Sequence, residues 1–385
     1  MFMACATYFQ SRFQSDEWIS NNFQSLILVV STVTNLLIML DLQNRQSGAN
    51  YPFRICTSLV LNCVIFVLLS VSTLWFICPA VPYLVFTLIC VLLASASSGF
   101  SQNGVFAFVS RFGGGYTQAV MTGQGIAGVL PAVAQIASVL AVPHQPATSD
   151  DNGDASISSA SPTSAFVYFL TATAVSGICL VFFLLLLQRH NIPLFSTPDS
   201  KDVTEDSAAQ VPFSTLFGKL KWLCFAIWLD FCITMTFPVF TQAITSNHPL
   251  TPETSRIWTP EVFIPLGFFL WNFGDLCGRI SCGFSLFTVT NPKILAAAST
   301  LRILFIPLYY MCNFKGQGAV IQSDLFYWLI QLGFGFTNGW IGSNCMMAAP
   351  EYVEEDEKEA CGGFMGMWLV FGLASGSLMS FALGA

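Results

Sequence analysis

One run of apolar sequence, Phe263 to Phe287, carries Asn272, Asp275 and Arg279 at its centre. The run is long enough to cross a bilayer as a helix. Ionisable side chains are costly in hydrocarbon, and inside a span they face a polar cavity or a partner. The run therefore points to a membrane protein with a functional polar interior. Composition agrees, because 54% of the residues are hydrophobic and only 9% are charged, whereas a soluble domain carries about a quarter. Mean hydropathy is +0.65.

Apolar windows of helical length fall at about 23–41, 54–78, 81–109, 115–141, 164–188, 218–245, 261–287, 292–312, 325–350 and 360–384. The fold expected is an all-α polytopic membrane protein of about ten full spans, without an appended soluble domain. Met1 to Phe9 are apolar but too short to cross, and they lack the basic start and long apolar middle of a signal peptide. They read as the tail of a first helix whose beginning is missing.

Cytoplasmic loops retain Lys and Arg. With the residues after the first fragment outside, the inside loops hold Arg45, Arg54, Arg111, Arg189, Lys201, Lys219, Lys221, Lys293 and Lys358, and the outside loops hold Arg12, Arg256 and Lys315. That bias places the C-terminus outside and is consistent with eleven spans in an intact protein. Two stretches are polar enough to be mobile, His144 to Ser164 and Arg189 to Ser214. The second divides the chain into an N-terminal bundle, 1–188, a cytoplasmic linker, 189–217, and a C-terminal bundle, 218–385. The acidic run Glu351 to Glu359 reads as a solvated inside loop, so the net charge of −7 says little about partners.

The thirteen cysteines form no CxxC pair, and no His cluster has metal-ligand spacing, so core packing accounts for them. GxxxxGK[ST], GxSxG and HExxH are absent. ATP-driven transport and intramembrane hydrolysis thus lack their usual marks, and passive or ion-coupled transport leads.

Asp275 and Arg279 are four residues apart and adjacent on one helix face, which Asn272 shares one turn earlier. The cluster can offer a guanidinium fork and a carboxylate to a solute with hydroxyls and a heterocycle. It can equally be an internal salt bridge, and the two roles are compatible. Gln124 lies in MTGQGIAG, where Gly123, Gly125 and Gly128 let a helix or ligand approach closely. Gln102 and Asn103, and Asn338, Ser343 and Asn344, offer similar amides and hydroxyls, each of which can serve a helix contact or a solute.

The segments GYTQAVMTGQGIAG, FIPLGFFLWNFGDLCGR and TNGWIGSNCMMAAPEYV, followed by an acidic loop and CGGFMGMWLVFGLASG, resemble the fifth, eighth, tenth and eleventh helices of the equilibrative nucleoside transporters. MFMACATYF resembles the end of that family's first helix, so the likeness covers essentially the whole chain. It implies a major-facilitator-like arrangement of six plus five helices, with the first cut short here. It implies nucleosides such as uridine and adenosine, or nucleobases, as solutes carried by alternating access, without covalent chemistry, cofactor, metal or nucleic acid. By the same likeness Gln124 contacts the nucleobase, Asp275 and Arg279 meet the ribose, Met3 and Leu373 line the cavity, and Asn272 supports it. Asp230 stands where the family more commonly has an apolar residue. A carboxylate there can couple protons to transport or pair with Arg302. The competing readings are an inactive homologue and a sugar or drug carrier of major-facilitator type. A monomer in a vacuolar or other endomembrane, or in the plasma membrane, is expected, with fungal-type members the nearest in the stretch RFQSDEWISNNFQS.

Overall fold

The computed structural model describes residues 6–45, 49–75, 79–141, 162–194, 211–249 and 255–384. Among these residues the chain is helical. The helices are α1 (Ala6–Phe13), α2 (Glu17–Asn44), α3 (Tyr51–Trp75), α4 (Ala80–Ser110), α5 (Gly114–Ala141), α6 (Pro162–Arg189) and α7 (Phe213–Thr234). They continue as α8 (Phe237–Ala243), α9 (Pro260–Ser281), α10 (Pro292–Leu301), α11 (Phe305–Tyr310), α12 (Asp324–Ala348) and α13 (Lys358–Gly384). The extended backbone pairs at one isolated bridge, Ile244 with Phe314.

Local chemistry sets the ends. Asp16 caps α2 by accepting from the Ile19 amide at 3.0 Å, and Asn291 caps α10 through the Lys293 amide at 3.0 Å. Proline occupies the first turn of α8, α9 and α10, where its missing N–H costs nothing. Two apolar windows are broken rather than continuous. The sixth, 218–245, parts at Met235 and Thr236, just before Pro238, and the eighth, 292–312, passes through a 3-10 turn, Arg302–Leu304, just before Pro307.

Eight stretches on these helices are long and apolar enough to cross a membrane, with Ala80–Ser110 and Phe213–Ala243 the longest. α9 and α12, of 22 and 25 residues, are not among the eight. Leu37, Ile178, Phe182 and Leu378 are each more than half exposed, an apolar outer surface suited to lipid.

The helices form two compact units. The first comprises Met1–Phe108 and Asp150–Val211, the second Val109–Ser149 and Pro212–Ala385. α5 groups with the C-terminal helices and packs along α9. In the first unit α3 lies along α6, and Tyr8, Phe9, Phe13, Phe23, Tyr83 and Phe169 form an aromatic core. In the second, α9 runs between α5 and α12, and Phe240, Phe263, Trp271, Tyr309, Tyr327 and Phe334 fill the interior.

Candidate functional site

The α9–α12 contact places the polar residues. Gly274 and Gly278 on α9 lie against the α12 backbone at Leu332 and Phe336, and a Cβ at Gly335 or Gly339 of α12 would fall on the carbonyl oxygen of Trp271 or Asp275. Small residues at this spacing let two backbones touch. The contact sets Asn338 of α12 against Asp275. On the other side of α9, a side chain at Gly125 of α5 would lie 2.9 Å from Arg279 Cδ, and one at Gly128 would lie 2.7 Å from Asn272 Oδ1. Gly123 faces open space.

Arg279 and Asp275 are both buried, and Arg279 Nε donates to Asp275 Oδ2 at 2.7 Å. Arg279 Nη1 donates to the Met121 carbonyl at 3.0 Å and, more loosely, to Gln124 Oε1 at 3.4 Å. Gln118 Nε2 donates to the Arg279 carbonyl at 3.3 Å. Among the described residues Arg279 Nη2 and Gln124 Nε2 make no hydrogen bond. The pair is thus an internal salt bridge whose guanidinium also binds α5, with the Gln124 amide beside it.

The polar cluster runs deeper than this pair. Asn338 Nδ2 donates to Asp275 Oδ1 at 2.6 Å, and Thr234 Oγ1 lies 2.6 Å from Asn338 Oδ1. Arg302 Nη2 donates to Thr234 Oγ1 at 3.1 Å, and Arg302 Nη1 donates to the Asp230 carboxylate and to the Asp230 carbonyl. Of the two roles open to Asp230, the fold supplies the ion pair with Arg302, and both groups are fully buried. The guanidinium also lies 4.5 Å from the Phe334 ring centroid.

Gln124, Asp275 and Arg279 therefore come together, and Asn272 borders them from one turn away, its Nδ2 donating to the Phe268 carbonyl at 2.8 Å. Leu373 is half-buried on α13, next to Gly372, which faces Trp228 of α7. The hydrogen-bonded cluster does not reach α13 among the described residues. Met3 lies outside the described residues. Thr234 and Met121 were not singled out from sequence. Thr234 lies four residues after Asp230 and so shares its face, whereas Met121 takes part through its backbone, which composition does not signal. Asn344 serves the α9–α10 loop, accepting from the Val289 amide and donating to the carbonyls of Phe287 and Trp340.

A family model described as nucleoside transporter matches residues 88–199 and 194–385. The chain belongs to that family. Among curated relatives, nucleoside transporter FUN26 of Saccharomyces cerevisiae is 31% identical over 93% of this chain and 75% of its own length. Equilibrative nucleoside transporter 3 of Rattus norvegicus is 26% identical over 97% of this chain and 80% of its own. Equilibrative nucleoside transporter 1 of Homo sapiens is 27% identical over 78% and 69%. Among solved structures, the E. coli fucose:proton symporter FucP superposes with a TM-score of 0.56 at 15% identity, covering 99% of this chain and 89% of that one. The human organic anion transporter MFSD10 gives 0.52 at 13% identity, over 98% and 88%. The nucleoside transporter family member described here therefore has the major-facilitator fold.

Proposed function

We propose that this chain carries nucleosides across a membrane down their gradient, by alternating access to a site built around Arg279. The observation that carries this reading is the buried Asp275–Arg279 pair with Gln124 beside it. Arg279 Nη2 and Gln124 Nε2 make no hydrogen bond among the described residues, and Asp275 can accept further bonds on either oxygen. A nucleoside has amide-like base edges and ribose hydroxyls that need such partners once water is removed. In this reading Gln124 meets the base, Arg279 and Asp275 meet the ribose, Asn272 supports the α5–α9 contact, and Leu373 adds apolar wall. No covalent bond is made or broken. The names of the yeast and mammalian relatives support nucleosides as the solute class. Uridine and adenosine are the solutes to test, in a monomer in an endomembrane or the plasma membrane.

Arg279→Ala should abolish labelled uridine uptake into vesicles while leaving the protein in the membrane. Normal uptake by that variant would sink the site assignment. Excess unlabelled adenosine should suppress uptake by the unaltered chain and excess sugar should not, which separates this reading from a sugar carrier.

A further inference from the structure

Asp275 spends both carboxylate oxygens on protein donors, Oδ2 on Arg279 Nε and Oδ1 on Asn338 Nδ2. The direction of each bond beyond it is fixed by chemistry. Thr234 has one hydroxyl hydrogen and two acceptors in reach, Asn338 Oδ1 at 2.6 Å and the Asp230 carbonyl at 2.8 Å. That carbonyl already has a donor in Arg302 Nη1 at 2.7 Å, whereas Asn338 Oδ1 has no other donor among the described residues and is the nearer acceptor, so the hydrogen is assigned to Asn338. A flipped Asn338 amide would set its oxygen against the Asp275 carboxylate, acceptor to acceptor, so only one orientation satisfies both neighbours. The donors then run one way: from Arg302 to Thr234, from Thr234 to Asn338, and from Asn338 to Asp275. A cation stands at the donor end and an anion at the acceptor end, the arrangement in which successive bonds strengthen one another.

We propose that Asn338 is a positioning residue of the nucleoside site, tying the Asp275–Arg279 fork to the buried Asp230–Arg302 pair. This rests on the substrate reading given above. Asn338 is 1% exposed, and its side-chain hydrogen bonds go to Asp275 and Thr234 and not to Arg279 or Gln124. It acts by holding the Asp275 carboxylate, which in turn holds Arg279 through Nε. Without that hold, Asp275 Oδ1 gains freedom to turn and the guanidinium edge loses its fixed direction. Fixing such an edge within a fraction of an ångström is what positions a solute.

The test is uridine uptake by the full chain in proteoliposomes, read as KM and as maximal rate per transporter. Asn338→Asp sets carboxylate against carboxylate and should raise KM about tenfold, the size expected for one buried charge-assisted hydrogen bond, with maximal rate changed much less. Asp275→Asn should raise KM by at least as much. The exchanged pair, Asp275→Asn with Asn338→Asp, returns a donor to each acceptor and should bring KM down about tenfold from the worse single variant, a coupling of the kind a double-mutant cycle isolates. An exchanged pair no better than the worse single variant overturns the proposal, because a merely structural asparagine gives no such rescue. Thr234→Val keeps the shape of the site and removes the donor that orients the amide. It should raise KM about threefold, under half the logarithmic effect of losing the main bond, and an unchanged KM overturns the proposal even where the charged variants fail to fold. If Arg279→Ala also transports normally, the substrate reading itself has failed. If Arg279→Ala is inactive while Asn338→Asp keeps the original KM, only the positioning role has.

Discussion

Asp230 and Arg302 have no water to fall back on. Both side chains are fully buried, and the guanidinium divides its donors among the Asp230 carboxylate, the Asp230 and Phe334 carbonyls, and the hydroxyls of Thr234 and Thr337. Removing one member strands a charge in low dielectric, whereas removing both removes the cost of burial with the attraction. Arg302→Met should therefore cost about 3–5 kcal/mol of stability, seen as a lower thermal midpoint in detergent. Adding Asp230→Leu should recover much of that loss; a double variant less stable than Arg302→Met would contradict it. A different carboxylate, Asp324, begins α12 at its loop end. Burial alone would raise it, but hydrogen bonds from Ser246, the Asn247 backbone, His248 and the Asn247 side chain outweigh burial and hold it below the ordinary aspartate value. A carboxyl depressed on folding stabilises the fold above its unfolded pKa, and that stability is lost as the pH falls through the folded value. Asp324→Asn should thus lower the thermal midpoint at neutral pH. The deficit should persist until the pH falls below the ordinary value of 3.8 and then close. A deficit independent of acidification would show that the ionised carboxyl is not its source.

At the scale of elements, the α9–α12 contact decides which side chains can meet. Gly339 admits no Cβ without pushing the Asp275 carbonyl away, while a Cβ at Gly333 on the same helix would meet only the Phe305 ring at 3.6 Å, an ordinary contact. Gly339→Ala should therefore reduce folded yield and uptake sharply, by separating Asn338 from Asp275, and Gly333→Ala should leave both near the original. Size-exclusion profiles and uptake of the two variants check this, and equal behaviour would mean that α12 can slide without consequence. The same contact marks where sequence reading stops. The shared face of Asn272, Asp275 and Arg279 was legible because helical spacing alone fixes it, and the close approach at Gly125 and Gly128 was legible from the glycines. Gly274, Gly278, Gly335 and Gly339 are as visible in the sequence, but periodicity does not say which helix a small-residue face will choose. Asn338 was accordingly one amide among several. Asp230 and Arg302, 72 positions apart, could be matched from sequence because each is an ionisable group within a span and each needed a partner.

For the molecule as a whole, each of the ten apolar windows overlaps helix among the described residues, though 261–287 runs past the end of α9 at Ser281, and the two that proved broken, after Thr234 and at Arg302, break where a proline follows and where the buried polar chain passes. Hydropathy averages over a window and so reports these as continuous. The ionisable groups in the C-terminal turns of α7 and α9 and at the start of the 3-10 turn match two by two, Asp230 with Arg302 and Asp275 with Arg279. Their net charge is zero, and a nucleoside adds none, so a cycle that moves this cluster from one side's access to the other's carries no charge through the membrane potential. The magnitude makes the point testable. One elementary charge crossing 100 mV is worth about 2.3 kcal/mol, which corresponds to about fifty-fold accumulation of a solute coupled to one proton. Vesicles holding the chain should bring labelled uridine to equal concentrations on the two sides, and an imposed potassium diffusion potential of about 100 mV should leave that plateau unmoved. A plateau that rises with an inside-negative potential would mean that a cation moves with the nucleoside, and that one of the two pairs opens during the cycle.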